Sequence, residues 1–308
     1  MYYPYLRGRQ FELIALREYA LQRGDKNNII PIIEPVKKTF NSMKLALPKL
    51  IEGNVKFSLI LNPQVGEINN VMEIINALDL ELSDRSRWIP TFILTNNFNE
   101  VSKYISENNY IDVMIILTDT TDTSSNDFNQ FIESPLIKYI VTKENKTLKR
   151  RLRTKDFILL NDNFKAQKRN SDYLAMPEEK FTEEHLFYAE ENYCGFSDYT
   201  VLVSDFIEGG AAPYAVAIHL TYEKENDEIW IRHFASITND DQSNIQGKFE
   251  EASKKAVIFL DSKNIHTNAS EELRNYYHTQ SYPGLGMVKK ISIKNHLEVL
   301  NNCLNSVK

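Results

Sequence analysis

The chain has 308 residues, a formal net charge of −6, 42% hydrophobic residues and 25% charged residues. This balance is typical of globular proteins and excludes a disordered chain. The length exceeds the usual domain of about 100 to 200 residues, although barrels of alternating strands and helices use about 250, so we expect one large domain with an appendage.

The cysteines and the N-terminal segment indicate the compartment. Cys194 and Cys303 are too few for a disulfide framework and lack the spacing of a metal site. No signal peptide is expected, because Arg7, Arg9 and Glu12 interrupt any apolar run near the N-terminus. Apolar runs elsewhere are far shorter than the roughly 20 residues that cross a bilayer. The sequence therefore predicts a cytoplasmic protein that does not enter the membrane.

Eight short β-type runs recur along the first two thirds of the chain, with helical stretches between them. They cover residues 2–6, 29–34, 57–61, 88–94, 113–117, 137–142, 157–160 and 200–204. Most are continuous apolar runs, which are typical of a parallel sheet covered on its outer face. Between the first two runs, Leu13, Leu16 and Ala20 lie at helical spacing. This repetition predicts an α/β fold, a TIM-like (β/α)8 barrel over residues 1–210.

The pattern changes in the last third of the chain. Residues 215–222 and 228–235 are β-rich runs joined by a polar segment, which predicts an antiparallel β-hairpin. A helix is expected over residues 248–260, and a last helix is expected to begin at Asn295, a good N-cap residue. Because no flexible linker precedes them, residues 211–308 are predicted to form a C-terminal hairpin-and-helix extension packed on the barrel and completing the same globular unit.

Positive charge is concentrated in one segment of this acidic chain. Residues 138–169 contain eleven basic and three acidic residues, a net charge of +8, which leaves −14 for the rest of the chain. Such a segment can steer an anionic partner toward one region of the molecule. A solvated, lysine-rich helix explains the same composition.

Functional residues of strand-and-helix barrels lie at the carboxyl ends of the strands and in the loops that follow. Arg7 and Arg9 follow the first predicted strand, and Glu34 ends the second. A guanidinium there can bind a phosphate with two hydrogen bonds, while Glu34 can transfer a proton. The alternative is structural: a buried Glu34 needs a cation, so Arg7 is expected to pair with it and tie adjacent strand ends together.

The loops after the seventh and eighth strands form the usual phosphate site of this architecture. Here they contain Arg169 and the pair Gly209 and Gly210, whose backbone N–H groups can approach an anion closely. Glycine pairs are also common in ordinary turns. Arg7, Arg9, Arg169, Gly209 and Gly210 together form the candidate anion-binding set.

The proposed hairpin carries one histidine in each arm. If Tyr222 pairs with Glu228, His219 and His233 become diagonal neighbours on one face, about 7 to 8 Å apart. Near a carboxylate such as Asp205 they can bind a divalent metal or transfer a proton. Half-buried, hydrogen-bonded histidines without a chemical role are the alternative. Asp205, the two histidines and the glutamate that ends the second strand form the candidate catalytic set, and the sequence identifies no metal.

A turn rich in glycine and proline, residues 282–286, leads to Lys289, Lys290 and Lys294. The glycines suit backbone angles that other residues resist. We expect the lysines to extend the basic surface, which makes this segment a candidate docking point for a partner.

Eight sequence segments, spread over nearly the whole chain, carry a resemblance to a known protein family. They read YYPYLRGRQFELIALRE, IIPIIEPVK, LILNPQVGE, QKRNSDYLA, GFSDYT, AVAIHLTY, RHFAS and SYPGLGMVKKISIKNH. As a set they resemble the phage beta-protein family, and more closely its uncharacterised bacterial relatives, which are carried on mobile elements beside a small nuclease-like protein. The resemblance implies a barrel-like fold, a role in conflict between phage and host, and a small nuclease-like protein partner. It transfers no catalytic residue to this sequence.

Walker, dinucleotide-binding, zincin and nucleophile-elbow motifs do not occur in the sequence. Three functions remain. The first is a component of a phage-related or anti-phage defence module whose basic rim binds nucleic acid, a nucleotide or an acidic partner protein. The second is a barrel enzyme, acid–base or metal-assisted, acting on a phosphorylated small molecule or nucleotide. The third is a barrel kept only for protein–protein contact. The sequence names no cofactor for any of them.

Overall fold

The computed structural model describes residues 1–209 and 213–306. Within that part of the chain, eight strands hydrogen-bond side by side in chain order, and every neighbouring pair is parallel. They are β1 (Tyr5–Leu6), β2 (Ile32–Ile33), β3 (Phe57–Ile60), β4 (Trp88–Leu94), β5 (Val113–Leu117), β6 (Ile137–Thr142), β7 (Asp156–Leu160) and β9 (Gly195–Ser197). A further strand between the last two, β8 (Glu178–Thr182), belongs to a second sheet.

The first and last strands close this sheet into a barrel. Tyr2 pairs with Phe196 in a parallel bridge, and Tyr3 N donates a hydrogen bond to Phe196 O at 2.8 Å. Tyr5 N donates to Asp198 O, also at 2.8 Å. The rings of Tyr2 and Phe196 stack with their centroids 5.1 Å apart. The predicted TIM-like barrel is therefore confirmed.

The seam between the first and last strands requires a glycine. A Cβ atom at Gly195 would lie 2.5 Å from the Tyr3 ring and 2.6 Å from Met1 O. Neither neighbour can move easily, because Tyr3 is buried and the Met1 carbonyl accepts a hydrogen bond from Phe196 N. The absence of a side chain at residue 195 lets the two segments approach closely enough to pair.

The eighth barrel strand lies earlier in the chain than we predicted. We expected it at residues 200–204, but it is β9, and residues 200–204 contain no strand. Thr200 explains the difference, because its φ of 57° lies in the left-handed region and ends an extended run. Asp205 consequently does not follow a barrel strand directly.

Helices follow most strands, and polar side chains cap the first turns of several of them. Ser125 accepts a hydrogen bond from Phe128 N at 3.1 Å, and Asn145 accepts one from Leu148 N at 2.9 Å. The helices are α1 (Gln10–Gln22), α2 (Asn41–Glu52), α3 (Val71–Ala77), α4 (Phe98–Glu107), α5 (Asn126–Ile132), α6 (Lys146–Arg151), α7 (Glu184–Phe187), α8 (Ile245–Ser262), α9 (Asn268–His278) and α10 (Leu285–Ser306). None of these described helices has both the length and the apolar character needed to cross a membrane.

The chain divides into two compact units. The first unit contains the barrel strands and consists of Met1–Arg9, Asn28–Asn161 and Phe187–Asp198. The second unit takes α1 from between the first two barrel strands and consists of Gln10–Asn27, Asp162–Leu186 and Tyr199–Lys308. The division into residues 1–210 and 211–308 stays a prediction.

The second unit is built on a three-stranded antiparallel sheet. Its strands are β10 (Ala217–Glu223), β11 (Ile229–Ala235) and β8, in the order β10, β11, β8. The predicted hairpin is confirmed as β10 and β11. On one face of the sheet, apolar side chains such as Ile218 and Phe234 pack with residues of α8, α9 and α10 into a buried core.

Helix α10 begins ten residues earlier than we predicted. Gly284, with a φ of 89°, precedes it, and Val288 N donates to Gly284 O in its first turn. Asn295 is therefore not an N-cap residue but a fully buried residue inside the helix. Its side-chain amide donates to Thr221 O at 2.8 Å and accepts a hydrogen bond from Thr267 Oγ1 at 3.1 Å.

The expected basic surface on this helix is wrong for two of its three lysines. The side chains of Lys290 and Lys294 are only 1% and 2% exposed. Lys290 Nζ lies 2.8 Å from Glu18 Oε2 and 2.5 Å from Glu272 Oε2, and Lys294 Nζ lies 3.2 Å from Glu18 Oε2. Burial of a lysine requires such partners, so these charges hold α1, α9 and α10 together rather than forming a surface.

Candidate functional site

The carboxyl ends of β1 and β2 bring Arg7 and Glu34 together, as predicted. Nη1 of Arg7 forms an ion pair with Oε2 of Glu34. Tyr5 Oη donates to the same carboxylate oxygen at 2.7 Å, and Gln64 N donates to Oε1 at 2.9 Å. The glutamate is fully buried, whereas the arginine side chain is 17% exposed. Both carboxylate oxygens are thus engaged, which matches the structural interpretation of a bridge between neighbouring strand ends.

Gly8 allows this arrangement. Its φ is 60°, and a Cβ atom there would lie 3.0 Å from Glu34 O. The chain can therefore turn sharply between β1 and α1 and keep Arg7 over its carboxylate. Arg9, the next residue in the turn, is partly buried, and its role in binding an anion stays a prediction.

A second buried carboxylate, Asp198, lies at the carboxyl end of β9. Tyr2 Oη donates to its Oδ1 at 2.6 Å, and Asp198 is fully buried. Burial raises the pKa of Tyr2 well above its ordinary value, so the phenol keeps its proton and remains a donor. Sequence reasoning missed Asp198 because it placed the eighth strand after this residue.

The two hairpin histidines face each other directly. His219 pairs with His233 across β10 and β11, and their Nδ1 atoms are 2.7 Å apart. The predicted diagonal arrangement is wrong because the pairing register of the two strands is shifted by two residues. Tyr222 pairs with Trp230 instead of Glu228, and Lys224 N donates to Glu228 O at 2.9 Å. A shift of two residues keeps both imidazoles on the same face.

The third strand of the sheet adds a carboxylate that the sequence did not reveal. Glu179 lies in β8 opposite Ile231, so it is a diagonal neighbour of His233 on the same face. Its Oε1 lies 3.6 Å from His233 Nε2, and both atoms are buried without a hydrogen-bond partner in the described chain. Its Oε2 accepts a hydrogen bond from Lys165 Nζ at 2.6 Å. Three of the five residues of β8 are charged, so the strand has no apolar run to detect.

The row Glu179, His233, His219 determines where the imidazole protons lie. A carboxylate beside Nε2 of His233 favours a proton on that nitrogen, which leaves His233 Nδ1 as an acceptor. His219 must then donate through Nδ1–H, because the two Nδ1 atoms are within hydrogen-bond distance. Nε2 of His219 is left with a free lone pair, and no described residue donates a hydrogen bond to it.

Aromatic rings enclose this row. The Tyr173 ring centroid lies 4.7 Å from that of His219 and 4.4 Å from that of His233, and Phe164 lies 5.1 Å from His219. Burial lowers the pKa of His233 to about 4, against the opposing effect of Glu179. Burial and the neighbouring imidazole lower the pKa of His219 to about 3, although the residue stays partly exposed. Both imidazoles are therefore neutral at neutral pH.

A metal site with these histidines is not found. Among residues 1–209 and 213–306, no group of three or more His, Cys, Asp or Glu side chains has an arrangement that could hold a metal ion. Asp205, the carboxylate that we expected to complete such a site, is exposed and does not join the histidines in such a group.

Two further members of the predicted anion set, Arg169 and Gly209, are exposed. The Arg169 side chain is 78% exposed, and its Nη2 lies 3.1 Å from Asp172 Oδ1. Gly209 has a φ of 83° in an exposed loop, and Gly210 lies outside the described residues. Arg169 and Gly209 belong to the second unit and Arg7 to the first, so a joint anion site stays a prediction.

Part of the basic segment lies away from the carboxyl ends of the strands. Residues 152–155 form the loop that precedes β7, which places them at the amino-terminal end of the barrel. These residues therefore lie at the opposite end of the barrel from Arg7 and Glu34, because α6 carries the chain from the end of β6 to that end.

Comparisons with known proteins add little. No family model matches the chain, and no curated protein matches it. The chain is similar to the crystal structure of N-acetylneuraminate lyase from Mycoplasma synoviae, with 12% sequence identity and a TM-score of 0.41 over 98% of this chain and 97% of the lyase.

Proposed function

We propose that the protein is a barrel enzyme that uses acid–base chemistry on a phosphorylated small molecule or a nucleotide, with His219 as the proton acceptor. The observation that carries the proposal is the row of Glu179, His233 and His219, which ends in an imidazole nitrogen whose lone pair no described residue engages. Its residues lie on one sheet face and need no metal. A neutral imidazole oriented by a second group is a common proton acceptor in enzymes.

The row can also stabilise the positive charge that His219 gains when it accepts a proton. When His219 Nε2 takes a proton from the substrate, its Nδ1–H stays bonded to His233, and the Glu179 carboxylate stabilises the positive charge through His233. Glu34 is a weaker candidate for the base, because Arg7, Tyr5 and Gln64 already occupy its oxygens.

The experiment is a turnover screen with phosphorylated sugars, acids and nucleotides, followed by NMR, with wild-type protein and His219→Asn. We expect His219→Asn to lower kcat/KM by about 100-fold or more without a change in melting temperature. His266→Asn is the control, because His266 is 59% exposed and pairs only with surface groups. Full activity in His219→Asn would contradict the proposal.

A second candidate is the defence-module component that binds nucleic acid, a nucleotide or an acidic partner, including the small nuclease-like protein that the family resemblance suggests. It is favoured by exposed Arg150, Arg151 and Arg153, none of which forms an ion pair with a described carboxylate. Phosphate contacts would make binding fall steeply as salt rises. Copurification and binding at low and physiological salt test it, and salt-independent association would count against it.

A further inference from the structure

A cavity opens at the amino-terminal end of the barrel, opposite the strand ends that carry Arg7 and Glu34. Its volume is about 370 Å³, within the size range of small-ligand sites. The end of α6, the loop before β7 and the loop before β9 form its walls. All of these segments belong to the first unit.

Four cationic side chains line this cavity: Lys149, Arg150, Arg153 and Lys155. No carboxylate lines it, and none of the four forms an ion pair with any carboxylate of the described chain. Other basic residues of the same segment do have such partners. They include Lys138 with Asp112, Lys143 with Asp119, Lys146 with Glu144, Lys165 with Glu179 and Arg169 with Asp172.

Two of the lysines are held in place by neutral groups. Lys155 Nζ donates to Ser134 O and Ile137 O, both at 2.7 Å. Lys149 Nζ donates to Glu191 O and lies 3.6 Å from the centroid of the Tyr193 ring. Burial lowers the pKa of both lysines, against the weaker opposing effects of Glu191 and Glu144 on Lys149 and of Glu133 on Lys155. The site is thus preorganised, and an anion would relieve its charge.

The cavity also has an apolar part. Leu152 and Phe157 line it, and they are only 8% and 3% exposed. Asn192 adds an amide that can donate and accept hydrogen bonds. An apolar floor, an amide and four cations match a compact ligand with one flat, hydrogen-bonding part and one part of high negative charge.

We infer that this cavity binds a nucleoside di- or triphosphate, with the phosphates on the four cations and the base against Leu152, Phe157 and Asn192. A concave site suits a compact polyphosphate better than an extended nucleic-acid strand, which needs a groove. The inference is independent of the His219 proposal, and it deepens the second candidate function by naming a ligand.

Calorimetric titration of the full chain with ATP and GTP tests the inference, with adenosine, inorganic tripolyphosphate and a short single-stranded oligonucleotide as further probes. We expect both nucleotides to bind, and Arg150→Ala/Arg153→Ala to weaken binding by about tenfold or more, because the variant loses two charged groups that would donate hydrogen bonds to the phosphates. Lys146→Ala is the matched control: it removes one charge from the same helix but not from the cavity.

Both arginines are exposed, so their replacement leaves the fold intact, and an unchanged melting temperature checks this. The inference is overturned if neither nucleotide binds, if the double variant binds as wild type does, or if only the oligonucleotide binds. Failure here is distinguishable from failure of the catalytic proposal, because the two are read out separately: ATP binding by His219→Asn reports on the cavity, and turnover by the same variant reports on the histidine row.

Discussion

The contacts of the Arg7–Glu34 ion pair indicate a structural role rather than a catalytic one. A buried carboxylate without a partner is costly, and here an arginine, a phenol and a backbone N–H all donate to it. The pair joins the ends of β1, β2 and the segment after β3. This is the alternative that the sequence left open, and the contacts favour it over direct catalysis by Glu34.

Arg7→Ala tests this role. The variant leaves Glu34 buried without its cation, so we expect the free energy of unfolding to fall by about 3 kcal/mol, measured by chemical denaturation. Adding Glu34→Gln should restore part of the loss, because the buried charge is removed. Lys37→Ala, which breaks the exposed pair with Glu67, should have no measurable effect. Wild-type stability in Arg7→Ala would contradict the structural role.

The histidine pair predicts a pH dependence of stability. The pKa of His219 is about 3 and that of His233 about 4 in the folded chain, against 6.5 for an ordinary histidine. Between these values the unfolded chain binds protons that the folded chain does not. The stability is therefore fully present above about pH 6.5 and is lost as pH falls toward about 4, by about 1.4 kcal/mol per pH unit for each histidine.

Denaturation curves over this pH range measure the effect. His233→Asn removes one of the two titrating groups, so the slope of stability against pH should become shallower. An identical slope in the variant and the wild type would contradict the buried, neutral state of His233.

The sequence predicted only those site contacts that follow from strand order or from residue spacing within a strand. The pairing of Arg7 with Glu34 follows from parallel strand order, and the shared face of His219 and His233 follows from the two-residue period of a strand. The position of Glu179 beside the histidines could not be predicted, because its strand is rich in charged residues and contacts the hairpin across a long chain separation. The sequence pattern also could not reveal that the basic loop before β7 lies at the opposite end of the barrel from Arg7 and Glu34.

At the scale of elements, β9 and its seam hold the barrel closed. The three residues of β9 pair with β7, and Phe196 among them also pairs with Tyr2, so this short strand closes the barrel. Seven of the eight predicted strands overlap barrel strands of the structure because their apolar runs are continuous. The eighth was misplaced because Thr200 has a left-handed backbone conformation that its residue type does not suggest.

Gly195→Ala tests the seam. The new methyl group would collide with the Tyr3 ring and Met1 O, so we expect a loss of about 1 to 3 kcal/mol in the free energy of unfolding. Gly24→Ala is the control, because a Cβ atom at Gly24 would contact nothing within 4 Å. Equal stability of both variants would contradict the tight packing at residue 195.

Helix α10 shows a second limit of sequence patterns. Asn295 has the residue type and spacing of an N-cap, but the turn at Gly284 begins the helix earlier and the asparagine is used for buried hydrogen bonds. Lys290 and Lys294 likewise look like surface residues in the sequence. Their glutamate partners come from α1 and α9, which only tertiary packing brings near.

At the scale of the whole molecule, charge and chemistry are distributed over separate places. The barrel carries a neutralised ion pair at its carboxyl-terminal end and an unneutralised cationic cavity at its amino-terminal end. The antiparallel sheet of the second unit carries the histidine row. The fold class alone predicts a functional site at the carboxyl-terminal end of the strands, whereas our proposals place function at the cationic cavity and at the histidine row.

The most direct test of the central claim is nitrogen-15 NMR of the imidazoles in the intact protein, recorded as a function of pH. The proton positions inferred from Glu179 predict a proton on Nε2 of His233 and on Nδ1 of His219, with neither ring becoming charged until the pH falls to about 4. A free lone pair on Nε2 of His219 requires this pattern. Titration of either ring near pH 6.5, or a proton on Nδ1 of His233, would contradict the account.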